Sequence, residues 1–248
     1  MHINSIIEYL DDLLDVKRFN DYCPNGLQVH GRDEVKKVVA GVTASLDFLK
    51  TAQAAGADTV LVHHGYFWKN EDATVTGLKK KRIEFLLQHQ MNLIAYHLPL
   101  DAHPELGNNA QLAKILDLQI DGNATQQNLV MLGHLPQAKL LAEFSQQIAT
   151  KLKRNPMVIG SANKPIKKVA WCTGAAQGYF HQILSEQVDA YITGEISEAN
   201  FHIANESGVA FISAGHHATE RYGVKALAQQ LEQQFDIQTS FIDIDNPV

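Results

Sequence analysis

The chain has 248 residues, 45% of them hydrophobic and 19% charged, with a formal net charge of −6. That is ample apolar material for one large α/β domain or two smaller ones, and too ordinary a composition for a long disordered arm. The acidic balance provides no global field for a polyanion and so disfavours direct nucleic-acid binding, and no window nears the roughly eighteen apolar residues of a membrane span.

From the amino terminus, Ile3, Ile6, Ile7, Leu10, Leu13 and Leu14 recur at helical spacing with Glu8, Asp11 and Asp12 opposite them, which predicts an amphipathic helix. A loop with Pro24, Asn25 and Gly26 follows. Residues 35–42 then read as a strand, 46–55 as a helix and 59–62 as a buried strand running into His63, together a βαβ unit. The basic run Lys79, Lys80, Lys81 and Arg82 reads as the solvated start of a helix over 82–89. An apolar strand over 92–96 leads into His97, Leu98, Pro99, Leu100 and Asp101, and a helix is expected over 110–116. In the second half a strand over 209–214 leads to His216, and a helix over 224–235 precedes an alternating last strand over 239–245.

The two halves correspond. Lys36, Lys37 and Val38 match Lys167, Lys168 and Val169 at an offset of 131, and Asp58 and Asp189 each stand 21 residues after the second lysine. The next strands end in His63-His64-Gly65 and Gly194-Glu195-Ile196, which sets Glu195 opposite His64. His97 with Asp101 and His216 with Glu220 match in turn at an offset of 119. This pattern predicts two similar α/β lobes from an internal duplication, 1–125 and 126–248, with the C-terminal segment able to cross back to the first. Mixed or largely parallel sheets flanked by helices are expected, with a metal site in the cleft between the lobes.

Six of the 12 histidines, His63, His64, His97, His103, His216 and His217, fall in three short stretches. His63, His64, Asp101, His216 and Glu220 are the candidate metal ligands. Five nitrogen and oxygen donors exceed the needs of one catalytic zinc and suit two divalent ions, zinc, manganese or iron, with Glu220 bridging them. Paired ions of this kind serve hydrolysis. Strand alternation sends His63 and His64 to opposite faces, so each is expected to serve a different ion. His97 and Glu195 are candidates for moving protons or for orienting the ligands, whereas His103 and His217 read as structural. Cys23 and Cys172 belong to no CxxC pair, and with no basic-then-apolar leader they read as packed thiols of a cytoplasmic protein.

The segments DYCPNGLQV (21–29), GVTAS (41–45), VHHGYFW (62–68), HLPLDAHPELGNN (97–109), TGEISE (193–198) and GHHATER (215–221) closely resemble the GTP cyclohydrolase 1 type 2 homologue family, also called the Nif-three-like family. The chain is similar to its short bacterial members, which lack a central insert. The resemblance implies a dinuclear metal site on the same five residues and a toroidal homohexamer built as a trimer of dimers. It also implies hydrolysis of a nucleotide or related small molecule of the GTP cyclohydrolase kind. A metal-dependent phosphoesterase, or a non-enzymatic metal-bearing ring linked to DNA maintenance or regulation, are the alternative functions.

Overall fold

The computed structural model describes residues 1–248, and strand and helix alternate through most of it. The elements of the first half are α1 (Ile3–Leu13), β1 (Gly26–Val29), β2 (Lys37–Thr43), α2 (Leu46–Ala54), β3 (Thr59–His64), α3 (Gly77–Gln88), β4 (Asn92–Ala95), α4 (Leu98–Ala102) and α5 (Asn108–Ile115). Then follow β5 (Gln119–Asn123), β6 (Met131–Leu140), α6 (Leu141–Leu152), β7 (Met157–Ile159), β8 (Pro165–Trp171) and α7 (Phe180–Ile183). The chain closes with β9 (Ala190–Thr193), α8 (Glu198–Ser207), β10 (Ala210–Ser213), α9 (His216–Gln234) and β11 (Gln238–Phe241). No helix is long and apolar enough to cross a membrane.

Two sheets form, one of five strands in the order β1-β4-β3-β2-β11 and one of six in the order β5-β6-β8-β9-β10-β7. Each contains three consecutive parallel strands joined through helices, β2-β3-β4 and β8-β9-β10, with an antiparallel outer strand, β1 on β4 and β7 on β10. The chain gathers into two compact units, Met1–Gly107 with Gly223–Asp245, and Asn108–Tyr222 with Asn246–Val248. The division falls earlier than the 125/126 boundary expected from the repeat, because β5 pairs with β6 and Leu112 of α5 packs into the second core. The last strand joins the first sheet, pairing in parallel with β2 from Gln238 opposite Lys37 to Phe241 opposite Ala40.

In the first unit the strand period of two assigns the apolar residues to layers. Val38, Ala40, Leu61, Ile94 and Tyr96 face Ile3, Ile6 and Leu10 of α1 and Val224, Leu227 and Leu231 of α9. Val39, Val60, Val62 and Leu93 face Phe48, Leu49 and Ala52 of α2 and Leu86 of α3. Ser45 starts α2 by accepting the Phe48 N–H at 3.2 Å, which satisfies one of the donors that a helix leaves open at its start. In the second unit Val169, Trp171, Ala190, Ile192 and Ile212 meet Leu112 of α5 and Phe144, Ile148 and Leu152 of α6. Phe180, Tyr191 and Phe211 form an aromatic triangle on the other face, with centroids 4.8–5.8 Å apart.

The matched aspartates do the same work in both sheets. Asp58 Oδ2 accepts the backbone N–H groups of Lys36 and Lys37 at 2.8 and 2.9 Å, and Asp189 Oδ2 accepts those of Lys167 and Lys168, both at 2.9 Å. Each carboxylate therefore pins the start of one parallel strand to the start of the next. Asp58→Ala is expected to cost about 1.5–3 kcal/mol, the range for hydrogen bonds to a charged group, read as a shift of the urea unfolding midpoint. Asp189 is less buried, so the equivalent substitution there should cost less.

Candidate metal centre

In the first unit β3 delivers His63, fully buried, and His64 at its last two positions. His63 Nδ1 lies 2.9 Å from the Tyr96 carbonyl oxygen. A carbonyl only accepts, so Nδ1 carries a proton, and Nε2 lies 3.5 Å from Asp101 Oδ1. His64 Nδ1 is likewise engaged, 3.2 Å from Thr43 Oγ1. Alternation does not part the two rings as a regular strand would, and their centroids are 4.6 Å apart.

Asp101 comes from α4, whose first turn contains Pro99 and whose Asp101 N–H donates to the His97 carbonyl at 3.1 Å. His97 and Asp101 therefore stand one helical turn apart rather than closing a strand. The His97 ring sits 5.1 Å from that of His63 and 5.9 Å from that of His64, and ligating atoms of the three histidines lie within 4.8 Å of one another. Asp21, in the loop before β1, accepts from His97 Nδ1 at 2.7 Å. Asp21 was not among the residues singled out from the sequence, because 76 positions separate it from His97 and no spacing rule spans a loop of unknown path.

In the second unit β10 stops at Ser213, Gly215 turns the chain at φ +103, and His216 begins α9. The expected strand end is thus a helix start, and His216 and Glu220 share one helical face as an i,i+4 pair. His216 Nε2 is 3.1 Å from Glu220 Oε2, and His216 Nδ1 donates to Glu195 Oε1 at 2.7 Å. Glu195 Oε2 accepts from Gln177 at 3.3 Å, which holds the carboxylate in place. Glu195 is therefore placed to orient His216.

Gly174, at φ +68, closes over this pair, and a Cβ there would overlap Glu220 Oε1 and stand 3.2 Å from His216 Nε2. Only glycine leaves these atoms room. Gly174→Ala should therefore lower divalent-ion retention at least tenfold while both charged residues remain, checked by elemental analysis after dialysis against a weak chelator. The magnitude, about 10-fold or more, is that of disturbing a residue that orients a ligand.

Burial disfavours a charged His216, yet the hydrogen bonds and charges of Glu220 and Glu195 outweigh it and push the imidazole up to about 9. The folded value lies above the ordinary 6.5, so in the metal-free protein the bound proton adds stability fully below about 6.5, and the gain is lost as pH rises through about 9. Calorimetry of chelator-treated protein across this window should show a falling Tm, with a shallower fall in Glu195→Gln.

Two of the six clustered histidines, His103 and His217, remain. His103 Nδ1 accepts the N–H groups of Glu105 and Leu106 at 3.2 and 3.0 Å, and the buried His217 donates its backbone N–H to Val248 at 3.0 Å. Lys79, in the basic run and the first turn of α3, pairs at 3.2 Å with Glu71 of the segment ahead of the helix. Cys23 and Cys172 are buried and form no disulfide, and burial, then the Asp21 charge, pushes the Cys23 thiol up to about 12. A cavity of about 920 Å³, lined in part by Arg32, Lys37, Asp58, His89 and Gln238, opens at the amino ends of β2, β3 and β11, the opposite end of β3 from His63 and His64.

A model of the Duf34/NIF3 (NGG1p interacting factor 3) family matches residues 1–247. The chain belongs to this family. Among Duf34/NIF3 relatives it is 50% identical over 248 residues to the GTP cyclohydrolase 1 type 2 homolog of Pseudomonas aeruginosa, covering 99% of this chain and 98% of that protein. It superposes on a solved structure described as "Structural genomics, protein ybgI, unknown function" with a TM-score of 0.96 at 44% identity, and each chain is covered completely (100%). TTHA1606 from Thermus thermophilus follows at a TM-score of 0.90 and 34% identity, again over 100% of both chains.

The donors present in this Duf34/NIF3 chain fit a divalent metal. Imidazole nitrogens and carboxylate oxygens without thiolates suit zinc, manganese or iron in an exchangeable setting. Metal-binding histidines commonly tie one ring nitrogen to a carbonyl or carboxylate, as His63 does to Tyr96 and His216 to Glu195.

Proposed function

We propose that this Duf34/NIF3 protein is a metal-dependent hydrolase with two divalent ions, for which His63, His64, Asp101, His216 and Glu220 are the ligands. The supporting observation is the common wiring of the two imidazole–carboxylate pairs. In each, Nδ1 is spent on an oxygen of the protein and Nε2 is directed at a buried carboxylate, Asp101 at 3.5 Å and Glu220 at 3.1 Å. Such ions, when bound, lower the pKa of water and polarise the bond under attack. The chain's own groups do the rest. Asp101 and Glu220 supply buried negative charge, Glu195 keeps His216 in the orientation that presents Nε2, and His97 is the group that takes and returns the proton.

The name of the Pseudomonas aeruginosa relative directs the substrate toward a purine nucleotide, with water adding to the base and opening its imidazole ring. Protein reconstituted with zinc, manganese or iron is expected to turn over GTP or another member of a nucleotide and phosphoester panel, and Asp101→Ala and Glu220→Ala should abolish that turnover. Ring-opened base or formate as product supports the cyclohydrolase chemistry, and free phosphate replaces it with phosphoester hydrolysis. Full metal loading with no turnover across the panel would remove the enzymatic reading and favour a metal-bearing scaffold. The homohexamer belongs to the same proposal, and light scattering should return six times the chain mass.

A further inference from the structure

We infer that Asp21 is a positioning residue that holds His97 as its Nδ1–H tautomer, so that Nε2 is presented as the proton acceptor. This rests on the metal-dependent reading above, in which His97 moves the proton. The segment DYCPNGLQV contains none of the five proposed ligands, yet it grips His97 and Leu98.

Asp21 is 4% exposed at its side chain and accepts four hydrogen bonds. Oδ1 accepts from the Tyr22 N–H at 2.6 Å and from His97 Nδ1 at 2.7 Å, and Oδ2 accepts from Asn25 Nδ2 and the Leu98 N–H, both at 2.9 Å. Asn25 Oδ1 in turn accepts the His97 backbone N–H at 2.7 Å, so one short loop grips the residue at both its ring and its main chain. Burial raises the Asp21 carboxyl, but His97, Asn25 and Tyr22 outweigh that and hold it below its ordinary value. An ionised carboxylate has only lone pairs to offer, so the proton of the Asp21–His97 bond belongs to Nδ1 and the neutral ring's lone pair to Nε2.

A loop staple needs only the backbone bonds. The ring is held further, with the centroid of the Trp68 ring 5.0 Å from its own at an interplanar angle of 88°, and those of His63 and His64 at 5.1 and 5.9 Å. At 15% exposure its side chain is crowded without being sealed, as a group that exchanges a proton with water or substrate requires. Cys23, whose sulfur shares the cluster with Asp21 and His97, stays a neutral thiol and does not compete for that proton.

The test is nitrogen NMR on the full-length, metal-free protein with labelled histidine, the His97 signals being assigned by their loss in His97→Gln. We expect a protonated Nδ1 and an unprotonated Nε2 in the wild type, and the reverse in Asp21→Asn. There the orientation that keeps the Asn25 and Leu98 bonds points an amide N–H at the ring. Metal content should be the same in wild type and Asp21→Asn, and in the loaded enzyme kcat should fall about 10²–10⁴-fold with KM unmoved, the span of a general-base contribution. A protonated Nε2 in the wild type, an unchanged tautomer in Asp21→Asn, or loss of metal from that variant overturns the assignment. Should Asp21→Asn fail to fold, the wild-type tautomer decides alone. Wild-type protein that shows the tautomer but retains no metal would overturn the function proposed above while leaving the Asp21–His97 pair intact.

Discussion

Glu220→Ala is expected to strip the protein of retained divalent metal, with a loss of affinity well beyond the roughly 10–100-fold that follows removal of a group acting on a ligand from behind. Glu220 is 3% exposed, rigidly mounted on α9, and sets a carboxylate oxygen 3.1 Å from His216 Nε2. Its removal takes away a donor and the buried negative charge that an incoming cation needs, whereas Glu195→Gln removes only the group that orients His216 and should fall within that roughly 10–100-fold range. Titration calorimetry with zinc and manganese, beside elemental analysis of the purified variants, separates the two cases. Equal metal content in Glu220→Ala and wild type would sink the proposed ligand set. Circular dichroism of both variants should match the wild type, because α9 keeps its apolar face of Val224, Leu227 and Leu231.

Trp171→Ala should be among the most damaging single changes to the fold, at about 3–5 kcal/mol. The indole ends β8 fully buried among Leu112, Val169 and Ile192, and its Nε1–H donates to the Asn109 carbonyl at 3.0 Å. Truncation leaves a large cavity and at the same time removes the donor of a buried acceptor at the start of α5. Asn109 also accepts the Thr173 N–H at 3.0 Å and donates to Leu129 at 2.9 Å, so disorder at α5 would reach the turn that holds Gly174. Urea unfolding should show the loss as a lower midpoint, and Trp171→Phe, which keeps most of the volume, should recover more than half of it. A midpoint within experimental error of the wild type would show that the second unit does not depend on this packing.

Some of this was legible in the chain and some was not, for identifiable reasons. The apolar runs over 35–42 and 59–62 read as strands and are strands, and the fold turns Val38, Ala40 and Leu61 to one layer and Val39, Val60 and Val62 to the other. The matched Lys-Lys-Val runs and Asp58 and Asp189 proved to have matched hydrogen bonds. The start of α9 was misplaced because His216, His217 and Thr219 are neither strong helix formers nor part of an apolar stripe, so the helix was read from Val224 onward. The domain boundary was set too late because the repeat measures similarity along the chain, while the units follow packing, which draws β5 to β6 and β11 to β2.

By itself, the sequence determined the kinds of donor available and the elements that would bear them. Imidazole and carboxylate chemistry follows from residue identity, and helix or strand follows from apolar period. Only the tertiary structure decided which nitrogen of each ring is left to act. Tyr96, Glu195 and Asp21 lie 33, 21 and 76 positions from the histidines whose Nδ1 they engage. The clearance over Gly174 likewise depends on two distant turns meeting. Such pairings are set by the collective burial of many side chains, and no local run of residues encodes them.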